Sequence, residues 1–211
     1  GEEVCAQAVW AGVSAALGGT FDRTLEMLFC NVLLNLAAEG ARGERIMMDL
    51  LLPVHMDEEE LKCLMGQAGE LGARFKVTVE GGHTEVSDAV LRPVVTVTGL
   101  GFLPGEGTSP GSAAREAQTE MGKAGAGAQS RPSAQVGQEF GLRPGMELVM
   151  AGFAGAAGTA ILAENMEAKL LERYPFTLVD RAKRIMDFEL LLEAARARNH
   201  FGVSAMHDVS Q

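Results

Sequence analysis

Phe75-Lys76-Val77-Thr78-Val79-Glu80-Gly81-Gly82-His83-Thr84-Glu85-Val86 is followed, after a short connection, by Val94-Val95-Thr96-Val97-Thr98-Gly99. Alternating Val and Thr suit a pleated, half-buried surface, so residues 75–79 and 94–99 read as strands. Two glycines at the exit of the first strand let the backbone approach a ligand closely or take positive φ. His83, Thr84 and Glu85 then set an imidazole, a hydroxyl and a carboxylate on one short turn. Those groups suit a metal-phosphate site, and an ordinary hairpin connection explains them equally well.

Working outward, residues 24–41 carry apolar side chains at helical spacing, at Leu25, Leu28, Phe29, Val32, Leu33, Leu36 and Ala37, and Gly40 closes the run. Residues 45–52 read as a strand ending at Pro53. Asp57-Glu58-Glu59-Glu60 form the acidic first turn of a helix that continues through Leu61, Leu64, Met65 and Ala68 to about Gly72. The order α-β-α-β-β predicts an α/β (α+β) fold with helices packed on one face of a mixed sheet.

Residues 105–138 hold Gly, Ser, Ala, Pro and Gln with almost no large apolar side chain, a linker or insertion composition in which only 112–123 could be helical. The chain therefore divides into 1–104, a connection over 105–140, and a second α/β half over 141–211 that stops before it can close a sheet. That second half begins with a strand over 146–151. The glycine-rich turn Gly152 to Thr159 leads into a helix over 160–171, and another helix follows over 177–198, striped by Leu178, Ala182, Ile185, Phe188, Leu191, Leu192 and Ala195. The turn lacks the Gly-Lys-Ser/Thr of a P-loop and the acid of a dinucleotide fingerprint, so close helix-strand packing accounts for it as well as phosphate binding does.

The 211 residues carry a formal charge of −10, which argues against a nucleic-acid binder, because phosphate contacts need clustered Lys and Arg. Cys5, Cys30 and Cys63 lie far apart, without CxxC spacing, and read as buried free thiols of a reducing cytoplasm. No apolar run approaches the ~20 residues that span a bilayer, and no leader pattern opens the chain. His55 reads as a surface residue and His200 as a helix C-terminal cap, while His207 reads as exposed.

Three segments, in order, resemble the aminoimidazole ribonucleotide synthetase (PurM-like) superfamily. Leu34-Asn35-Leu36-Ala37-Ala38-Glu39-Gly40-Ala41 is similar to its Asn-Asp-Leu-Ala-x-x-Gly-Ala helix end. Gly81-Gly82-His83-Thr84-Glu85-Val86 is similar to its Gly-Gly-Asp/Glu/His-Thr strand end, and Ala205-Met206-His207-Asp208-Val209-Ser210 to its Met-x-Asp-x-Thr turn. The His forms most resemble the AIR synthase-related, hydrogenase-maturation-factor (HypE-like) group. The resemblance implies an N-terminal ATP-binding half over 1–104, with ATP and Mg²⁺ as cofactors. It also implies phosphorylation of an amide or carbamoyl oxygen, with a role in hydrogenase maturation, and a homodimer whose N-terminal sheets join in a shared barrel, with edge pairing of the Val77 and Val95 strands. Carried over residue by residue, it assigns nucleotide binding to Asn35, Gly81, Gly82, His83, Thr84, Glu85 and Asp208. Asp208 and Glu85 are its metal ligands; no catalytic residue is assigned. Asn35 is neutral where the family has a metal-binding Asp, and no acidic glycine-rich segment precedes the first helix. The alternative reading is a non-catalytic, degenerate or truncated homodimerising α/β module.

Overall fold

The computed structural model describes residues 8–17, 21–103, 142–201 and 203–209. The first part runs β1 (Ala8–Ala16), α1 (Phe21–Ala38), β2 (Arg42–Pro53), α2 (Glu58–Phe75), β3 (Thr78–Ser87) and β4 (Val94–Phe102). The strands form one mixed sheet in the order β1-β4-β2-β3. β2 and β3 are parallel and α2 is the crossover between them, whereas β4 runs antiparallel to both its neighbours, β1 and β2. The expected α-β-α-β-β order is present, preceded by a strand that sequence reading did not assign.

Helices α1 and α2 cover one face of the sheet. Leu25, Leu28, Phe29, Val32, Leu33 and Leu36 of α1 are buried in one core with Ile46, Met48, Leu50, Val95 and Val97. A Cβ on Gly99 would come within 2.3 Å of Val32 Cγ1, so glycine in the middle of β4 lets α1 press onto the sheet. The alternation places Ser14, Thr96, Asp49 and His83, which are in register across all four strands, on the face without these helices.

Helix α2 begins as its sequence prescribes. Asp57 Oδ1 accepts from the Glu60 backbone N–H at 2.8 Å, and Glu60 Oε2 accepts from the Asp57 N–H at 3.0 Å. The helix runs past Gly72 to Phe75, whose ring is buried, and Lys76 ends it with φ 58°. Phe75 to Val77 are therefore helix end and connection rather than strand, because Phe75 gains more by packing under the helix than on the pleat.

The paired glycines lie inside β3 and are not a turn. The register passes from Ile46 opposite Val79 to Met47 opposite Gly81, so Glu80 is the extra residue of a bulge. Gly82 then takes φ 148°, and a Cβ there would fall 1.7 Å from the Met48 carbonyl oxygen. β3 is an edge strand and β4 is internal, so the Val95 strand offers no edge for pairing.

The expected linker over 105–140, Cys5 and the terminal Ser210-Gln211 lie outside the described residues. Residues 146–151 do not form the expected strand. A strand's N–H and C=O groups need a neighbour, no strand lies beside this segment among the described residues, and Leu148 is 99% exposed. Helices follow as α3 (Ala156–Asn165), α4 (Glu167–Leu171), α5 (Phe176–Lys183), α6 (Phe188–Arg196) and α7 (Arg198–Phe201). The helix expected over 177–198 is interrupted where Asp187 caps α6, accepting from the Leu190 N–H at 3.0 Å. Phe188 and Leu192 enter the same core as α1. Arg74 reaches Glu26 at 2.6 Å and Glu189 at 2.7 Å, and Arg23 reaches Glu164 at 2.8 Å. The pairs range from part-buried to exposed, and the exposed ones add little stability; Arg23 ties α3 to α1, and Arg74 of α2 ties α6 to α1 and α2.

The two glycines of β3 separate under substitution. Gly82→Ala should lower the unfolding free energy by about 2–3 kcal/mol through backbone strain and the Met48 contact. Gly81→Ala, which faces open space, should stay within about 0.5 kcal/mol of the parent. Denaturant unfolding of both variants measures the difference.

Candidate functional site

Asn35 lies on the last turns of α1, between the core positions Leu33 and Leu36, so its amide emerges at the flank of the helix. Its Nδ2 donates to the Asn31 carbonyl at 2.8 Å and to Asp208 Oδ2 at 3.2 Å, across 173 residues of sequence. The Asp208 side chain is only 6% exposed, whereas that of His207, with Nδ1 3.4 Å from Asp208 Oδ1, is 86% exposed. Arg198 Nη1 donates to the Ala38 carbonyl, one of the acceptors that a helix end leaves without an intrahelical partner. That bond ties α7 to the end of α1 and brings residues 203–209 alongside.

Between these parts lies a cleft of about 240 Å³. Trp10, Ala11 and Gly12 of β1 form one wall, Asn35, Ala38 and Glu39 another, and Met206, His207 and Asp208 the third. The first and third sequence motifs thus meet in one place. Trp10 and Glu39, which sequence reading did not single out, join them there; no local pattern marks either residue, since β1 itself was not recognised.

The second motif lies elsewhere within the chain. Gly81, Gly82, His83, Thr84 and Glu85 are on β3, at the opposite edge of the sheet from β1. Three strand spacings separate these edges, roughly 14 Å. Around His83, the backbone N–H donates to Asp49 Oδ1 at 3.0 Å. Asp49 is a lone carboxylate in the apolar run Met47 to Leu52, a signal that sequence reading passed over.

Chemically, the cleft offers carboxylates, an amide and an indole, and among the described residues no Lys or Arg lines it. Among the described residues, no group of three or more His, Cys, Asp and Glu is arranged to hold a metal ion. The described residues therefore provide no protein cage for Zn²⁺ or Ca²⁺. Mg²⁺ is different, because it keeps several waters and shares one or two carboxylates with a substrate's phosphates. Asp208 and Glu39 are the two carboxylates that line the cleft.

The remaining candidates have structural roles. Cys30 is buried, and burial, with the Glu26 charge second, pushes its thiol well above the usual range. It stays protonated and packs as a small apolar group. Cys63 is exposed, contrary to expectation, because it lies on the solvent side of α2. His55 is exposed in a turn, and His200 is exposed on the last turn of α7. Gly152 to Gly155 form an exposed turn into α3, in which Gly155 takes φ 73°.

No protein-family model matches the chain, and no curated protein does. Among solved structures it is similar to E. coli HypE, a hydrogenase maturation protein, at 18% identity and a TM-score of 0.42, over 47% of this chain and 33% of that one. It is similar to hydrogenase maturation protein HypE in complex with ATP at 17% identity and a TM-score of 0.43, over 54% and 35%. Thiamine monophosphate kinase from Aquifex aeolicus matches at 14% identity and a TM-score of 0.41, over 63% and 50%. The chain spans between a third and a half of the length of these proteins. At TM-scores below 0.5 these likenesses decide nothing about its chemistry. Among the described residues, no helix is long and apolar enough to cross a membrane.

Replacing the Asn35 amide by a carboxylate tests whether the cleft is a latent cation site. Asn35→Asp sets like charges against each other at the 3.2 Å contact, so the melting temperature should fall by several degrees in chelator and recover in millimolar Mg²⁺. The parent should show a smaller Mg²⁺ response in the same thermal scans.

Proposed function

We propose that this chain belongs to a Mg-ATP-using protein of the PurM-like type and that the cleft between β1, the end of α1 and residues 206–208 is its nucleotide site. The observation that carries the reading is the Asn35–Asp208 hydrogen bond. Two segments that the family resemblance marks independently, far apart in sequence, meet on one hydrogen bond beside a cleft. Asp208, with Glu39, would hold Mg²⁺ against the phosphates. Bound there, Mg²⁺ supplies neutralisation of phosphate charge, which this acidic cleft otherwise repels. Asn35 holds the Asp208 carboxylate in position.

The reaction class is phosphoryl transfer to an amide or carbamoyl oxygen of an acceptor. The bond from the terminal phosphorus to ADP breaks as the bond to the acceptor oxygen forms. A chemistry of the hydrogenase-maturation kind is the member of this class that the His forms of the motifs favour.

A second copy of the chain completes the proposal. The motif residues occupy opposite edges of one sheet, β3 carries an almost wholly exposed edge, and the outer face holds Ser14, Thr96, Asp49 and His83. Two such four-stranded sheets joined edge to edge, β1 of one beside β3 of the other, make an eight-stranded barrel that covers both edges. Gly81 to Glu85 of one copy then approach the cleft of the other, and Glu85 joins Asp208 as a metal ligand.

One observation favours a second reading, a binding or dimerising module without catalysis: the neutral Asn35 leaves the cleft one carboxylate short of its family pattern. Calorimetric titration with ATP, with and without Mg²⁺, separates the two. Magnesium-dependent binding, weakened at least about tenfold by Asp208→Ala, is expected; no heat at millimolar Mg-ATP would leave only the module.

Subunit mixing tests the shared site. Asp208→Ala and Glu85→Ala chains should each bind weakly alone, and an equimolar re-equilibrated mixture should regain about a quarter of the parent sites, the statistical share of a two-fold dimer. If the mixture binds no better than its components, the site is not shared.

A further inference from the structure

β1 is an edge strand, and the parity of its ladder decides which backbone groups that edge presents. β1 and β4 pair without a register shift from Ala8 opposite Phe102 to Ala16 opposite Val94. Next in register come Leu17 and Pro93, joined by a bond from the Leu17 N–H to the Pro93 carbonyl at 2.7 Å. Hydrogen-bonded pairs recur at every second residue of an antiparallel ladder. Ala15, Val13 and Ala11 therefore bond to β4, whereas Ser14, Gly12 and Trp10 turn their N–H and C=O groups toward the open edge. These groups lie in the plane of the sheet, at right angles to the side chains. Trp10, Ala11 and Gly12 line the cleft with residues of α1 and 206–208 and, among the described residues, none of β4. The cleft thus lies beyond the edge of the sheet. The Trp10 C=O and the Gly12 N–H point into it side by side, one on each flank of Ala11.

We infer that this backbone edge reads the base of the bound nucleotide, the Trp10 carbonyl accepting from the exocyclic amino group of adenine and the Gly12 N–H donating to the neighbouring ring nitrogen. An acceptor and a donor on one edge match an amino group beside an unprotonated ring nitrogen. Size supports one ring system: about 240 Å³ is below the ~300–1,000 Å³ of sites that enclose drug-sized molecules. The ribose and phosphates then extend toward Asp208. Hypoxanthine carries a carbonyl beside a ring N–H, so it satisfies the same pair only when turned over, which carries its phosphates away from Asp208. The partner strand of the dimer pairs along the rest of the β1 edge, from Ser14 onward. The inference rests on the nucleotide reading proposed above and assigns its base-recognition groups.

Proline makes the test direct, because at position 12 it removes an N–H that the ladder does not use. Proline is accepted on an edge strand when its missing N–H faces outward, and a Cβ at Gly12 meets nothing nearer than Thr98 Oγ1 at 3.5 Å. Gly12→Pro should weaken Mg-ATP binding at least about tenfold relative to Gly12→Ala, which keeps the N–H, with tripolyphosphate binding equal in the two variants. On the parent chain, calorimetry compares Mg-ATP, Mg-ITP and magnesium tripolyphosphate while NMR follows the Gly12 amide proton. Mg-ATP should bind about tenfold more tightly than Mg-ITP, and the Gly12 amide proton should move downfield with Mg-ATP and stay in place with tripolyphosphate. These parent-chain measurements decide the matter if Gly12→Pro does not fold. Equal affinity for Mg-ATP and Mg-ITP, an unmoved Gly12 amide, or Gly12→Pro binding Mg-ATP as Gly12→Ala does would overturn the edge reading and leave the nucleotide reading standing. No heat with any of the three ligands would overturn both.

Discussion

Burial of α1 is the constraint on which the rest of the molecule depends. Its apolar residues meet the sheet on one side and Phe188 and Leu192 of α6 on another, and Phe29, Leu25 and Leu36 have essentially no exposed surface. A helix enclosed on several sides cannot shift without opening the core, and tight packing makes such movement costly. Its C-terminal end is therefore a fixed point in the structure. Asn35 projects from that point, and Arg198 ties the last short helix to the Ala38 carbonyl. The position of residues 203–209, and with it the third wall of the cleft, follows from the docking of α6 and α7 on α1.

Elements that carry their own local chemistry were legible in the sequence. α1 was readable from its spacing and from Gly40, α2 from the Asp57–Glu60 capping box, and β4 from its Val-Thr alternation. Elements whose identity depends on partners were not. β1 consists mostly of small residues, and it becomes a strand because β4 offers it an edge along its whole length. Residues 146–151 have the right composition and no neighbouring strand among the described residues, so they remain irregular. Helix 177–198 reads as continuous from its apolar stripe, yet Asp187 caps a new helix within it; periodicity does not register a cap that competes from inside a run.

The candidate site divides along the same line. Motif order pointed to Asn35 and Asp208, and the fold joins them by a hydrogen bond. Gly81 and Gly82 looked like a ligand-binding turn, whereas Gly82 answers first to the carbonyl of Met48 across a bulge. Trp10 and Glu39 could not be found in advance, because only the fold brings β1 and the end of α1 to one cleft. Under the proposed reading, a polyphosphate enters the acidic cleft of a chain of net charge −10 only together with a cation, so the location of that cation decides between the readings.

Mn²⁺ in place of Mg²⁺, added with ATP and followed by paramagnetic broadening of amide and indole N–H signals, locates it directly. Broadening centred on Asp208, the Asn35 side-chain amide and Glu39, and reaching the Trp10 indole, is the predicted result. Broadening centred on the acidic start of α2 at Asp57 to Glu60, with the cleft signals untouched, would contradict it.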